Sequence, residues 1–222
     1  MVVGNSRAIT TNQQGVHEKL DDLVIKYQKS VNQRPIGEHT QVAFEEACNW
    51  IADFDGDIIL DSCCGVGEST ATIARLNPEC RIIGIDKSAQ RIDKHSHYAV
   101  HQDNYRVIRA DVNDFWRLVR QANWKVSQHY LLYPNPYPKK TQVQKRWHGS
   151  AAMADLMAIT PNIEVRSNWL VYLMEFAKAA QHYGVTADLA EITSHEAMTP
   201  FERKYRASGQ LCWQLLCRSE EG

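Results

Sequence analysis

Residues 58–70 read Ile-Ile-Leu-Asp-Ser-Cys-Cys-Gly-Val-Gly-Glu-Ser-Thr, and the fold follows from them. Ile58-Ile59-Leu60 is an apolar run of the length of a buried strand, and it ends on a carboxylate, Asp61. A turn of small residues follows, and Thr70–Leu76 then has the composition of a helix. A second apolar run, Arg81–Ile85, ends on another acid, Asp86. This is one βαβ unit with an acid closing each strand, the layout of a nucleotide-type cofactor site at the carboxyl ends of parallel strands. The glycines alone do not choose the cofactor, and they also suit a plain tight turn. A dinucleotide site calls for G-x-G-x-x-G/A, whereas here Gly65 and Gly67 are followed by Thr70 at the third small position.

A third strand-like run, Tyr105–Ile108, leads to Ala110-Asp111. Strand-end acid, Gly-Val-Gly turn, second acid and third acid together resemble the class I S-adenosylmethionine-dependent methyltransferases. The resemblance implies S-adenosyl-L-methionine as cofactor. Asp61, Gly65 and Gly67 would wrap its methionine moiety, Asp86 would bind the ribose, and Asp111 would meet the adenine. Cys63 stands where many members of that family carry a glycine. A small Cys is tolerated there if the backbone does not need a positive φ.

The 222 residues suffice for one domain with a substantial core. At 44% hydrophobic and 23% charged, the composition is that of an ordinary soluble protein. No apolar run approaches the roughly 18 residues of a membrane span, and the N-terminus lacks a signal-peptide core, so a cytoplasmic location is expected. The six cysteines show no metal-ligand spacing and read as free thiols, with no metal site. With a net charge of −1, nucleic acid would be held by local patches, not by a global field.

Residues 1–15 are polar and are expected to form a mobile arm ahead of a single domain over 16–222. Val16, Leu20, Leu23 and Tyr27 have helical spacing, as do Val42, Ala43, Ala47, Trp50, Ile51 and Phe54. Asn113–Trp124 carries aromatics at core spacing. Gln128–Tyr133 reads as a fourth strand, and Pro134-Asn-Pro-Tyr-Pro-Lys-Lys140 after it is a stiff, extended loop. Lys139, Lys140, Lys145 and Arg146 form a basic cluster that suits either a solvated loop or phosphate contacts. Ala151–Ile159 is helical and Ile163–Ser167 a fifth strand. Asn168–Tyr183 is a helix with Leu170, Val171, Met174, Ala177 and Ala180 on its apolar face. Ala187–Thr193 and Leu211–Cys217 complete seven strands.

Two segments narrow the reading further. Tyr133-Pro-Asn-Pro-Tyr-Pro-Lys-Lys with Lys145-Arg146 behind it, and the later Thr199-Pro-Phe-Glu-Arg-Lys-Tyr205, together resemble the tRNA (guanine-N7)-methyltransferase family. The resemblance implies a Rossmann-like α/β fold, with a mostly parallel seven-stranded sheet, an antiparallel last strand and helices on both faces. It implies methylation of the variable-loop guanosine of tRNA by a monomer or homodimer. Asn135 would touch both cofactor and base, and with Glu202 would form the catalytic pair. Lys139, Asn168, Thr199 and Glu202 would line the base site, a carboxylate accepting from guanine N1–H and N2–H. Lys140, Lys145, Arg146, Lys204 and Arg206 would contact RNA. Asn135 and Asn168 stand where that family carries acids. This leaves open an amino-methyltransferase acting on another acceptor, or a non-catalytic RNA- or cofactor-binding relative. Thr199 and Glu202 are also compatible with a turn followed by a surface charge, since Thr-Pro is itself a turn signal.

Overall fold

A computed structural model of the chain describes residues 4–30, 32–194 and 196–219. Met1, Val2 and Val3, part of the expected arm, lie outside the described residues. Seven strands run in chain order as β1 (Ile58–Ser62), β2 (Arg81–Asp86), β3 (Tyr105–Arg109), β4 (Val126–Leu132), β5 (Ile163–Ser167), β6 (Val185–Glu191) and β7 (Trp213–Ser219). They form one sheet in the order β3-β2-β1-β4-β5-β7-β6. β1 pairs in parallel with β2 and β4, and β2 with β3; β7 is antiparallel to both neighbours, as expected.

The helices are α1 (Leu20–Gln28), α2 (Glu38–Ile51), α3 (Glu68–Leu76), α4 (Ala89–Ile92), α5 (Val112–Gln121), α6 (Ala152–Ile159), α7 (Leu170–Gln181) and α8 (Pro200–Ala207). β6 begins two residues before its expected start, and β7 ends two residues after its expected end. The strands are antiparallel, so both changes belong to one extension of the hairpin, from the Ala187–Cys217 pair to Val185–Ser219. Among the described residues no helix is long and apolar enough to cross a membrane.

The chain divides into two compact units, Arg34–Leu132 and Met1–Gln33 with Tyr133–Gly222. In the first, β1 is buried along its whole length and β2 along all but its first residue, the signature of parallel strands covered on both faces. Leu60, Ile73, Ile82, Ile83, Ile85, Phe115, Trp116 and Leu131 are fully buried. Each such side chain contributes about 1.5–3 kcal/mol on leaving water. Phe44 stacks on Trp124 at 4.9 Å, so these aromatics are core, as their helical spacing predicts. Thr70 fits at the third small position because its neighbour is a glycine. A Cβ on Gly84 would lie 2.3 Å from Thr70 Oγ1.

The second unit buries Leu20, Leu156, Val165, Leu173, Phe176 and Leu215. Its α7 differs from the expected face. Tyr172, Leu173, Glu175, Phe176, Ala179 and Ala180 point inward, whereas Met174 is 40% exposed. The helix is apolar over most of its circumference, so periodicity does not choose a face. Glu175, an acid among buried neighbours at positions three and four away, marks the true one.

Candidate active site

Asp61 lies on β1 and is fully buried. Its Oδ2 accepts from Ser69 Oγ at 2.6 Å and from Thr70 Oγ1 at 2.7 Å, both in the first turn of α3. Its Oδ1 is buried and has no hydrogen-bond partner among the described residues. Burial pushes the carboxyl up to about 6, against the lowering effect of the two hydroxyls. Ser69 and Thr70 are partners of Asp61 that the sequence reading missed; their signal is a pair of hydroxyls at the start of the helix that follows the glycine turn, eight and nine residues after the acid.

The turn between β1 and α3 needs its glycines. Gly65 and Gly67 have φ of 63° and 75°. A Cβ on Gly67 would meet His95 Nδ1 at 2.6 Å, and one on Gly65 would meet nothing within 4 Å. The Gly65 backbone thus borders open space, which lets a ligand approach the main chain. Cys63 also has a positive φ, 63°, so the condition under which a Cys was expected to be tolerated is not met. This left-handed conformation at a non-glycine residue costs on the order of 1–3 kcal/mol.

Asp86 ends β2 and is nearly fully buried. Its Oδ2 accepts from the Gly65 N–H at 3.0 Å and from Arg91 at 3.2 Å, and its Oδ1 accepts from the Ser88 N–H at 2.8 Å. Asp111 is the N-cap of α5: its Oδ1 accepts from the Asn113 and Asp114 N–H groups. Both acids therefore shape the backbone of their own unit. In the same unit Ser62 Oγ, His129 Nε2 and Trp116 Nε1 form a fully buried group. Burial holds His129 down at about 3, so this serine–histidine pair is neutral and structural.

The proline loop and α8 belong to the other unit. Tyr133 and Tyr137 have φ of 54° and 45°. Exposed Asn135 accepts from the Tyr137 N–H through Oδ1 at 3.3 Å. Asn168 Nδ2 donates to Gln210 Oε1 at 2.8 Å. Lys139, Lys140, Lys145 and Lys204 are exposed. Lys140 Nζ meets Glu18 Oε1 at 2.9 Å, and Lys145 Nζ sits 5.9 Å from the centre of the Tyr137 ring.

Three expected roles are corrected. Arg146, expected on RNA, is fully buried; it pairs with Glu175 Oε2 at 2.5 Å and covers the Trp169 ring at 4.9 Å. Burial alone would raise the Glu175 carboxyl, but His148 and Arg146 hold it below the usual carboxylate range. Glu202, expected on guanine, is fully buried, with Oε2 accepting from Arg166 at 3.1 Å and Oε1 accepting from Arg206. Arg206, expected on RNA, is spent on that pair and on the Ser194 carbonyl. Thr199 caps α8, its Oγ1 accepting from the Glu202 N–H at 3.0 Å. The sequence reading also missed Arg166 on β5, which pairs with both Glu164 and Glu202, and Glu175 on the mostly apolar α7.

Over 114 residues the chain is 32% identical to the tRNA (guanine-N(7)-)-methyltransferase of Christiangramia forsetii, a match covering 49% of this chain and 50% of that protein. The chain thus matches about half the length of that curated relative. Among solved structures it is similar to an antibiotic-related methyltransferase, with TM-score 0.58 and 11% identity, covering 86% of this chain and 97% of that one. It is also similar to the 16S rRNA (adenine(1408)-N(1))-methyltransferase of Catenulisporales acidiphilia, with TM-score 0.56 and 12% identity, covering 87% and 96%. At such identities the likeness is one of fold, that of the class I methyltransferases. Residues 55–215, from just before β1 into β7, match the model of a family described as "Putative methyltransferase". That span takes in both glycines, the three strand-end acids, the proline loop and α8, and the chain belongs to this methyltransferase family.

Proposed function

We propose that the protein transfers a methyl group from S-adenosyl-L-methionine to N7 of a guanosine in tRNA. The observation that carries the donor half is Asp61 Oδ1, a fully buried carboxylate oxygen near the end of β1 without a partner among the described residues. An unpaired acceptor in such a place is costly unless a ligand donor meets it, and the ammonium of an amino-acid moiety is such a donor. The open space beside Gly65 suits the same ligand, so the residues present fit it. Asp86 offers a remaining lone pair for a ribose hydroxyl, and the Asp111 carboxylate is placed by its capping bonds. The acceptor half is supported by the curated relative, a tRNA (guanine-N(7)-)-methyltransferase.

The donor supplies a methyl group on a sulfonium, open to in-line displacement. Guanine N7 already carries its lone pair, so the chain needs no general base, and its residues act by binding and orienting. Asn135 has Oδ1 engaged by the Tyr137 N–H and presents its NH2 as a donor. Guanine O6, beside N7, is a matching acceptor. Lys139, Lys140, Lys145 and Lys204 supply exposed cations for phosphates, contacts that position RNA without reading its sequence. Asn168 and Thr199 complete the proposed base site, and Glu202 holds Arg166 and Arg206 behind it.

The test is transfer of labelled methyl from S-adenosylmethionine to unmodified tRNA, with mapping of the modified nucleoside. Label in 7-methylguanosine is expected. Tight cofactor binding without label in any RNA would overturn the reading.

A further inference from the structure

We propose that Thr11, Asn12 and Gln13 are positioning residues of the proline loop, the last of them acting through Arg146. The N-terminal segment thereby becomes a working part of the acceptor site. The inference rests on the proposed function only for the substrate that the loop serves.

The loop holds itself only in part, through the Tyr137 N–H to Asn135 Oδ1 and the Lys139 N–H to Gln142 Oε1. Three prolines within Pro134–Pro138 remove backbone donors, and Tyr137 sits in the left-handed region, so the conformation must be fixed from outside. Three successive carbonyls are each taken by a side chain. Tyr137 O accepts from Arg146 Nη2 at 3.0 Å and Nε at 3.2 Å. Pro138 O accepts from Thr11 Oγ1 at 2.6 Å. Lys139 O accepts from Arg146 Nη2 at 3.2 Å. The next residue donates instead: the Lys140 N–H meets Asn12 Oδ1 at 2.9 Å.

Arg146 is held in turn. Its Nη2 donates to Gln13 Oε1 at 3.0 Å, and Gln13 Nε2 donates to Glu175 Oε1 at 2.6 Å. Glu175 Oε1 also accepts from the His17 N–H at 2.9 Å, and Oε2 from His148 Nε2 at 2.8 Å. Gln13 is 6% exposed, so the segment expected to be a mobile arm enters the core at that residue. Three consecutive side chains of one segment thus set the backbone that carries Asn135, Tyr137 and Lys139. A carbonyl-satisfying arginine suits this role because its planar fork reaches several acceptors at once.

The experiment compares the full-length protein with the Thr11→Val/Asn12→Ala double variant and with Arg146→Lys. The double variant removes the bonds to Pro138 O and from the Lys140 N–H, together with the local Thr11–Gln13 turn bonds, and both substituted positions are exposed. Arg146→Lys keeps a charge for Glu175 but loses the fork. Amide hydrogen exchange is read at residues 139–146, S-adenosylmethionine affinity by calorimetry, and kcat and KM on tRNA. Loss of these bonds predicts about tenfold or greater acceleration of exchange at Lys140 and a fall of about tenfold in kcat/KM, at unchanged cofactor affinity. Unchanged exchange in folded variants would overturn the proposal, as would faster exchange with undiminished kcat/KM. If the wild type methylates no tRNA yet the variants speed loop exchange, the substrate reading fails and the positioning of the loop stands.

Discussion

The Gly65 N–H donates to Oδ2 of Asp86 at 3.0 Å, so the acid that ends β2 holds the glycine turn that follows β1. The two strands are parallel neighbours in register, Ser62 beside Ile85, which brings the end of one to the turn of the other. The proposed cofactor at this turn would therefore be held by a backbone that Asp86 shapes.

Asp86→Ala leaves the buried Gly65 N–H and the Ser88 N–H without their acceptor. Each such loss costs on the order of 1–3 kcal/mol. The expected outcome is a clear fall in melting temperature and at least about a tenfold loss of S-adenosylmethionine affinity. Asp86→Asn keeps an acceptor toward Gly65 and retains more of the stability. Calorimetric titration beside thermal denaturation checks both; an Asp86→Ala protein with undiminished affinity would contradict the account.

Cys63 carries the φ of a glycine with the side chain of an L-residue. Cys63→Gly relieves about 1–2 kcal/mol of left-handed strain and returns about 0.5–1 kcal/mol of it as unfolded-chain entropy. A small net gain in stability is expected. Cys63→Val adds a β-branch where φ is positive and is expected to lose at least about 1 kcal/mol. Chemical denaturation of the pair gives the sign of each change, and a valine variant as stable as the glycine one would refute the strain.

The proposed donor side is legible in the sequence because its logic is local. Asp61, Gly65, Gly67, Asp86 and Asp111 sit at or just beyond the ends of β1, β2 and β3, whose positions follow from strand length, and the sequence predicts all seven strands. Cys63 stands out in the sequence as a departure, but its positive φ is not visible in residue order. The acceptor side was legible only as motifs. Charge count marks Lys139, Lys140, Lys145 and Arg146 alike, whereas burial separates them: three are exposed and Arg146 is enclosed. Its partners Gln13 and Glu175 lie 133 and 29 residues away, beyond any local pattern. Glu202 goes to guanine on the motif alone, because its partner Arg166 lies 36 residues away, although Arg206, four residues on, is a local partner that sequence spacing does offer.

The Asp61 carboxyl predicts a pH dependence with two signs. Its folded pKa, about 6, lies above the ordinary 3.8, so the folded protein binds the proton more tightly than the unfolded chain. Between those values this group makes the free protein more stable as pH falls. A cationic ligand requires the charged form. S-adenosylmethionine affinity is therefore expected to be flat above pH 7 and to fall by up to about tenfold per unit below pH 6. Binding measured by calorimetry from pH 5 to pH 8 checks this, and Asp61→Asn should abolish the dependence along with most of the affinity.

Lys139 and Glu202 separate binding from architecture. Lys139 is exposed, so Lys139→Ala is expected to leave the melting temperature unchanged and to lower kcat/KM on tRNA by about tenfold, with a shallower salt dependence. Glu202 is fully buried between Arg166 and Arg206, and removing one partner of such a group costs roughly 3–5 kcal/mol. Glu202→Ala is therefore expected to lose stability first, and activity as a consequence. If Glu202→Gln instead melts like the wild type yet transfers no methyl, the carboxylate meets the base directly and leaves its two arginines to do so.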